Sequence, residues 1–301
     1  MLAMCGRRRL RLLDIVRLMR PRHYIKNFLI FVSITFDYNL FNPQVLIQAL
    51  LGFAAFCLLS SAVYVFNDIR DVEADRQHEI KRERPIASGT VPIPAAWALA
   101  AALFLCALAI QLAAFGTKGN SLLLFLAYFA VNLGYSLGLK HVPFLDIVLL
   151  VMGFVLRVVY GAAIVGSSTS AWVYLTVFSL SFYLGLGKRR NELLKAGGDT
   201  RKVLRYYSYE FLDKFMYMCL TLAVTFYALW SADDQITAKY GTDKLIWTVP
   251  LVIIILMKYS ADIESNSYGD PVDVVMHDKV LLGLGVLFGL VIVALIYLPQ
   301  R

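Results

Sequence analysis

The stretch YVFNDIRDVEADR, residues 64–76, decides how this chain is read. It closes a long apolar run and gathers Asn67, Asp68, Asp71 and Asp75 within nine residues, about two and a half turns of helix. At 100° per residue all four fall within an arc of about 100°. Carboxylates crowded this closely repel one another unless a cation sits among them, and the repulsion grows at a membrane boundary. Hard oxygen donors with open coordination positions suit Mg²⁺, which commonly shares its shell with substrate phosphates. The plain alternative is a solvated acidic face on a surface helix. The next residues argue against it, because the acids run into a cationic tract, Lys81, Arg82 and Arg84, that ends in RPIASG.

Outward from that stretch the chain is apolar. It has 301 residues, 59% of them hydrophobic, and a mean hydropathy of +0.66. Runs long enough to cross a bilayer need about 20 residues. Nine are expected, at roughly 24–41, 43–66, 93–115, 120–139, 143–166, 170–187, 209–231, 245–259 and 279–298. The fold class is therefore an all-α integral membrane bundle, and residues 1–301 form one domain with no linker or low-complexity break. Residues 1–22 form a basic amino terminus in which LLDIVRLM reads as a short amphipathic helix on the inner leaflet. Its charges interrupt the apolar core that a cleaved signal peptide needs.

Charge sets the orientation. With a cytoplasmic amino terminus, loops 67–92, 140–142, 188–208 and 259–278 face the same side. Of 29 Lys and Arg, only Lys118, Lys239, Lys244 and Arg301 then lie outside, and Arg157 lies within a span. The positive-inside rule fixes that arrangement. The formal charge of +8 is topogenic and by itself implies no nucleic-acid partner. Cys5, Cys57, Cys106 and Cys219 have no paired spacing and read as reduced core residues. The four histidines make no metal-ligand pattern.

The unusual polar residues fall on one face: Arg20, Arg22, Lys26 and Asn27; the acidic cluster and its basic sequel; Lys140 and His141; Lys188, Arg189, Arg190 and Glu192; and Asp270, Asp273 and Asp278. This predicts a cavity open to the cytoplasm. A transporter would place ionisable groups near the midplane of several spans. Carboxylates hold Mg²⁺, and Mg²⁺ with Lys and Arg holds a diphosphate. Lys188 and Glu192 share a helical face, which also suits a topogenic loop with an internal ion pair. Tyr135 and Lys140 in YSLGLK suit a phosphate, or an interfacial Tyr with a snorkelling Lys. Arg157 needs a partner inside the bilayer, and Asp146, eleven residues earlier, is the simplest candidate. Gly153, Gly161, Gly166 and Gly185 suit close helix packing.

NDIRDVEADRQHEIKRERPIASG resembles the first aspartate-rich motif, NDxxDxxxD, of the UbiA superfamily of intramembrane prenyltransferases, and YSLGLK resembles that family's Tyr/Lys motif after the fourth helix. The resemblance covers essentially the whole chain and implies a nine-helix bundle. After the sixth helix, where typical members carry a second aspartate-rich motif, this chain has GLGKRRNELL. That segment, with LMRPRHYIKNFLIFV and GDPVDVVMHDKVLL, resembles the branch that moves phosphoribose from phosphoribosyl pyrophosphate to decaprenyl phosphate for arabinofuranose supply. The resemblance implies Mg²⁺ on Asn67, Asp71 and Asp75, with Asp68, Asp71 and Asp75 serving catalysis and Asp68 orienting its neighbours. It implies phosphate binding by Lys26, Lys81, Arg84, Tyr135 and Lys140, and binding of the phosphoribosyl portion by Lys188, Arg189 and Glu192. The expected partners are a polyprenyl phosphate, phosphoribosyl pyrophosphate and the lipids of the cell membrane; a homo-oligomer is compatible with this. The competing expectations are prenyl transfer from a diphosphate to an aromatic or other acceptor, and a membrane transporter. A phospholipid-forming alcohol phosphotransferase lacks support, since its DGxxAR segment is missing.

Overall fold

The computed structural model describes residues 12–195, 202–265 and 270–298. Among them every regular element is helical. The chain opens with α1 (Leu12–Met19), a 3-10 helix at Pro21–Ile30 and α2 (Phe31–Phe36). It continues through α3 (Pro43–Arg70), α4 (Val72–Gln77), α5 (Ile93–Ala114), α6 (Ser121–Leu137) and α7 (Leu145–Val165). The second half holds α8 (Ala171–Lys195), α9 (Tyr209–Ala232), α10 (Asp234–Tyr240), α11 (Val249–Ser265), α12 (Pro271–His277) and α13 (Lys279–Tyr297).

Among the described residues, seven helical segments are long and apolar enough to cross a membrane: Pro43–Arg70, Ile93–Ala114, Lys118–Leu137, Leu145–Val165, Tyr209–Ala232, Lys244–Ser265 and Lys279–Tyr297. Leu105, Leu123, Met257 and Leu290 stand exposed on these helices. Apolar side chains in such positions on so many elements are what a lipid solvent accommodates. The protein is thus a multi-pass membrane protein. Two of the expected spans are not among the seven. The first is a 3-10 helix followed by only six residues of α-helix. The sixth, α8, carries Ser179, Ser181, Tyr183 and the KRRNE cluster on one 25-residue helix, which dilutes its apolar character.

The aspartate-rich stretch does not continue as one helix. α3 starts at Pro43, where Asn42 accepts hydrogen bonds from the N–H groups of Gln44 and Val45, and it ends at Arg70 with Asp71 as its C-cap. α4 then begins at Val72. The single arc expected for the four polar residues is therefore replaced by two directions, described below.

α7 lies between the two halves of the bundle, packing on α3, α6 and the 3-10 helix at Pro21–Ile30 on one side and on α8 on the other. Phe56, Phe125, Tyr128, Tyr160 and Ile164 form the core of the first half. Ile147, Tyr183, Tyr207, Leu212 and Met216 join α7 to α8 and α9. Gly161 permits one close approach: a Cβ built there would lie 2.2 Å from the carbonyl oxygen of Ile30. Gly166 does a different job from the one expected of it, since it caps α7 at φ +72° with no neighbour within 4 Å of a Cβ. Cys57 and Cys219 are buried, whereas Cys106 is exposed rather than in the core; Cys5 lies outside the described residues.

LLDIVRLM forms α1 as expected, with Leu12, Leu13 and Val16 exposed and Leu18 buried. The four arginines before and at its start, Arg7, Arg8, Arg9 and Arg11, lie outside the described residues, as do Gly269 and part of the 188–208 loop.

Candidate active site

Six segments distant in sequence meet at one end of the bundle: the chain around Arg20–Asn27, the α3–α4 junction with Arg84, the end of α6, the middle of α7, the end of α8 and the start of α12. They enclose a cavity of about 210 Å³. Its wall includes Arg20, His23, Lys26, Asn67, Arg84, Tyr135, Ser136, Arg157, Lys188 and Asp270.

The α3–α4 break sorts the acidic motif into two pairs. Asn67 and Asp71, four residues apart, turn toward α6: Ser136 Oγ donates to Asn67 Oδ1 at 3.1 Å, and Lys140 Nζ lies 2.6 Å from Asp71 Oδ1. Asp68 and Asp75, seven apart, turn toward Arg84, which reaches them at 3.0 and 2.7 Å. Arg20 adds a second cation to Asp68 at 2.5 Å. Asp68 is nearly inaccessible at 3%, while the Asp71 side chain is 25% exposed. Asn67 lies on the cavity wall, and Asp68 is held behind it by two arginines.

These residues were expected to hold a metal. Among the described residues, no three His, Cys, Asp or Glu side chains converge to hold one by themselves. Two carboxylates and an amide oxygen are a hard-oxygen set suited to an ion that keeps other ligands of its own, such as phosphate oxygens or water. Lys140 pairs with Asp71 and Arg84 with Asp75.

Of the residues expected to bind substrate, Lys26, Arg84, Tyr135 and Lys188 reach the wall. Lys140 stands behind it on Asp71, and Lys81 lies on the 3-10 turn Lys81–Glu83, away from the wall. Arg189 is fully buried. Its fork reaches Asp146 at 2.6 Å, Glu192 at 2.6 Å and the Tyr135 hydroxyl at 3.0 Å. It therefore acts on the cavity through Tyr135. Glu192 pairs with Arg189 at 2.6 Å, and Lys188 lies 3.5 Å from Asp270.

The expected Arg157–Asp146 pair does not form. Eleven residues of helix separate them by about 16 Å, beyond the reach of the two side chains. Asp146 is instead bonded to Arg189 and to the Tyr207 hydroxyl. Both Asp146 and Arg189 are 0% exposed, and removing one member of such a pair costs about 3–5 kcal/mol. Arg157 bonds to Asn27 Oδ1 at 2.7 Å, the Gly153 carbonyl at 2.5 Å and the Tyr128 hydroxyl at 2.8 Å, and lies over the Tyr128 ring. These partners are neutral, so its positive charge is felt at the cavity wall.

His23, Asp270 and Arg157 are among the wall residues that sequence did not assign to the site. His23 lies among cations; burial, with Lys26 beside it, lowers its imidazole to about 4, so it is neutral near pH 7. Asp270 accepts from Lys26 at 3.1 Å and from Lys188. Burial opposes its charge, but Lys188 and Lys26 hold its carboxyl well below the usual range. Asp270 stood in a segment already singled out, GDPVDVV, yet nothing in the spacing linked it to Lys26, 244 positions away. Arg157 was visible only as a costly charge within a span.

An apolar pocket of about 190 Å³ adjoins the cavity at Lys26 and Phe154 and is lined by Ile25, Leu29, Leu180, Leu184 and Val275 among others. It shares Leu29, Val177 and Leu180 with a further apolar pocket of about 270 Å³ that runs toward Phe36 and Trp230. A cationic chamber thus opens onto an apolar track. That combination suits a phosphate group carried on a long hydrocarbon chain.

Comparison with known proteins agrees with this architecture. The model of the UbiA prenyltransferase family matches residues 28–259. The decaprenyl-phosphate phosphoribosyltransferase of Corynebacterium glutamicum is 36% identical over 293 residues, covering 94% of this chain and 86% of that protein. The protein of the same name from Mycolicibacterium smegmatis is 34% identical over 285 residues, covering 89% and 87%. Among solved structures, a UbiA homolog from Archaeoglobus fulgidus bound to GPP and Mg²⁺ has the same fold, with a TM-score of 0.69 at 20% identity over 93% of this chain and 99% of that one. With its aspartate-rich motif at the mouth of a helical bundle, and with the family model matching most of its length, the chain belongs to the UbiA prenyltransferase family.

Proposed function

We propose that this protein is an enzyme that transfers 5-phosphoribose from phosphoribosyl pyrophosphate to a polyprenyl phosphate of the decaprenyl type, releasing diphosphate. The observation that carries the reading is the position of Lys188. It enters the cavity wall from GLGKRRNELL, the segment where typical relatives have a second aspartate-rich motif. A cation there suits a donor that brings a 5-phosphate in addition to its diphosphate. The names of the relatives at 36% and 34% identity point the same way.

In this reading Lys26, Arg84 and Lys188 bind phosphate oxygens from three sides of the cavity, and Arg157 adds positive charge from beneath. Asn67, Asp71 and Asp75 would hold Mg²⁺, which supplies positive charge to the departing diphosphate. The pairs Lys140–Asp71 and Arg84–Asp75 hold their partners close together. On binding, the cations turn to phosphate oxygens and free the carboxylates. Arg189 holds the Tyr135 hydroxyl toward the donor.

The bond from the anomeric carbon to diphosphate breaks and its electron pair leaves with the diphosphate. A lipid phosphate oxygen forms the new bond to that carbon from the opposite face. This nucleophile is already anionic, so no strong general base is required. The apolar track beside Lys26 and Phe154 receives the isoprenoid tail. The cavity faces the cytoplasm at the cell's inner membrane, with α8 and the span expected at 24–41 completing nine membrane helices.

The test is a paired donor assay on the purified full chain with Mg²⁺. Phosphoribosyl pyrophosphate and a polyprenyl phosphate should yield lipid-linked phosphoribose. If that reaction is blank while a prenyl diphosphate and an aromatic acid combine, the protein is a prenyltransferase of the more typical kind. Solute flux in vesicles without either reaction would make it a transporter.

A further inference from the structure

The cavity wall brings together five cationic side chains, Arg20, Lys26, Arg84, Arg157 and Lys188, and among its lining residues a single carboxylate, Asp270. For a site that binds only phosphates, this carboxylate is out of place, since it repels the ligand. Yet it is firmly built in. Its side chain is only 17% exposed, Lys26 and Lys188 lie at 3.1 and 3.5 Å, and the Val272 N–H donates to Oδ1 at 3.0 Å as Asp270 caps α12. Lys26 spans both carboxylate oxygens, at 3.1 Å from Oδ1 and 3.2 Å from Oδ2, so with Lys188 and the Val272 N–H the roughly four acceptor positions are filled, and a ligand hydroxyl would take the place of the long Lys188 contact or of one arm of the Lys26 contact.

A carboxylate is a strong acceptor for sugar hydroxyls, the chemistry by which an acidic side chain marks a ribose. A phosphoribosyl donor has hydroxyls beside the reacting carbon, and a prenyl diphosphate has none. We infer that Asp270 accepts hydrogen bonds from the ribose hydroxyls of the donor and so determines the preference for a sugar diphosphate over a prenyl diphosphate. This assignment rests on the phosphoribosyl transfer proposed above. Lys26 and Lys188 then have two tasks: each holds Asp270 in place and each presents charge to a phosphate on the same donor.

The experiment compares kcat/KM for phosphoribosyl pyrophosphate and for its 2-deoxyribosyl analogue, with Mg²⁺ and a polyprenyl phosphate, in the wild-type full chain and in Asp270→Asn. Asn caps a helix about as well as Asp. Wild type should favour the ribosyl donor by about ten- to a hundredfold, the worth of a hydrogen bond to a charged group, and Asp270→Asn should narrow that ratio to about threefold. The loss should fall on the ribosyl donor. Should Asp270→Asn fail to purify folded, Asp270→Ser, which also retains a capping side chain, carries the same expectation. A variant that is slower on both donors by the same factor, with the wild-type ratio intact, overturns the assignment and leaves Asp270 as a brace for the lysines. An unchanged ratio with a raised Mg²⁺ requirement overturns it in favour of a metal ligand. A wild-type protein inert with both donors but active on a prenyl diphosphate removes the underlying reading, a result distinct from either variant outcome.

Discussion

Asp68 and Asp71 stand three residues apart and do different work. Asp68 is sealed behind the wall with Arg20 and Arg84, while Asp71 is a quarter exposed and paired with Lys140. Asp71→Asn should therefore lower turnover by about a hundredfold, as the loss of one electrostatic contact to a developing charge does elsewhere. Its melting temperature in detergent should stay near wild type. Asp68→Ala should show the reverse order of effects. It leaves two partly exposed arginines without their carboxylate, a loss of about 1–3 kcal/mol once solvent screening is allowed for. Turnover and thermal melting measured on both variants decide the matter; equal melting temperatures would contradict the division of labour. The four polar residues were legible from sequence as a cluster. Their split into Asn67 with Asp71 and Asp68 with Asp75 was not, because a helix break at Asp71 is set by what the next segment packs against.

At the scale of elements, α7 holds the site together. Its Asp146 anchors Arg189 on α8, its Arg157 gathers Asn27 and Tyr128, and its Gly161 lies against the Ile30 carbonyl. The last contact leaves no room for a side chain. Gly161→Val should destabilise the protein by about 1–3 kcal/mol through overpacking, and more if the 3-10 helix cannot shift. Gly283→Ala on α13 has open space around the added carbon and serves as the control. Melting curves in detergent would show the difference, and a Gly161→Val variant as stable as Gly283→Ala would refute the tight crossing. Sequence alone suggested close packing at four glycines but had no means to separate the crossing at Gly161 from the helix cap at Gly166. Both roles favour glycine, one for lack of volume and the other for φ above zero.

The whole molecule is polarised. One end carries the cavity and its ion pairs; the other gathers Phe36, Ser168, Asp233 and Lys239, with Lys239 bonded to Asp37 at 2.8 Å. The excess of Lys and Arg at the cavity end is the ground, by the positive-inside rule, for the proposal that this end faces the cytoplasm. In a variant whose native cysteines are replaced, Lys239→Cys should react with an impermeant thiol reagent on intact cells. Ile80→Cys, on an exposed residue beside the cavity end, should react only after permeabilisation. The opposite pattern would invert the topology and with it the cytoplasmic source of the donor.

Periodicity and charge in the chain itself determined the helical class, the membrane setting and the acidic motif, because apolar run length and the side of a charged loop are local properties. The pairing of Lys26 with Asp270, the burial of Arg189 and the neutral partners of Arg157 were decided only by tertiary structure. Apart from the Arg157–Gly153 and Arg189–Glu192 contacts within single helices, they join residues from 29 to 244 positions apart. Nothing along the sequence encodes such distances except the packing of whole helices, and a charge finds its partner only after the helices have met.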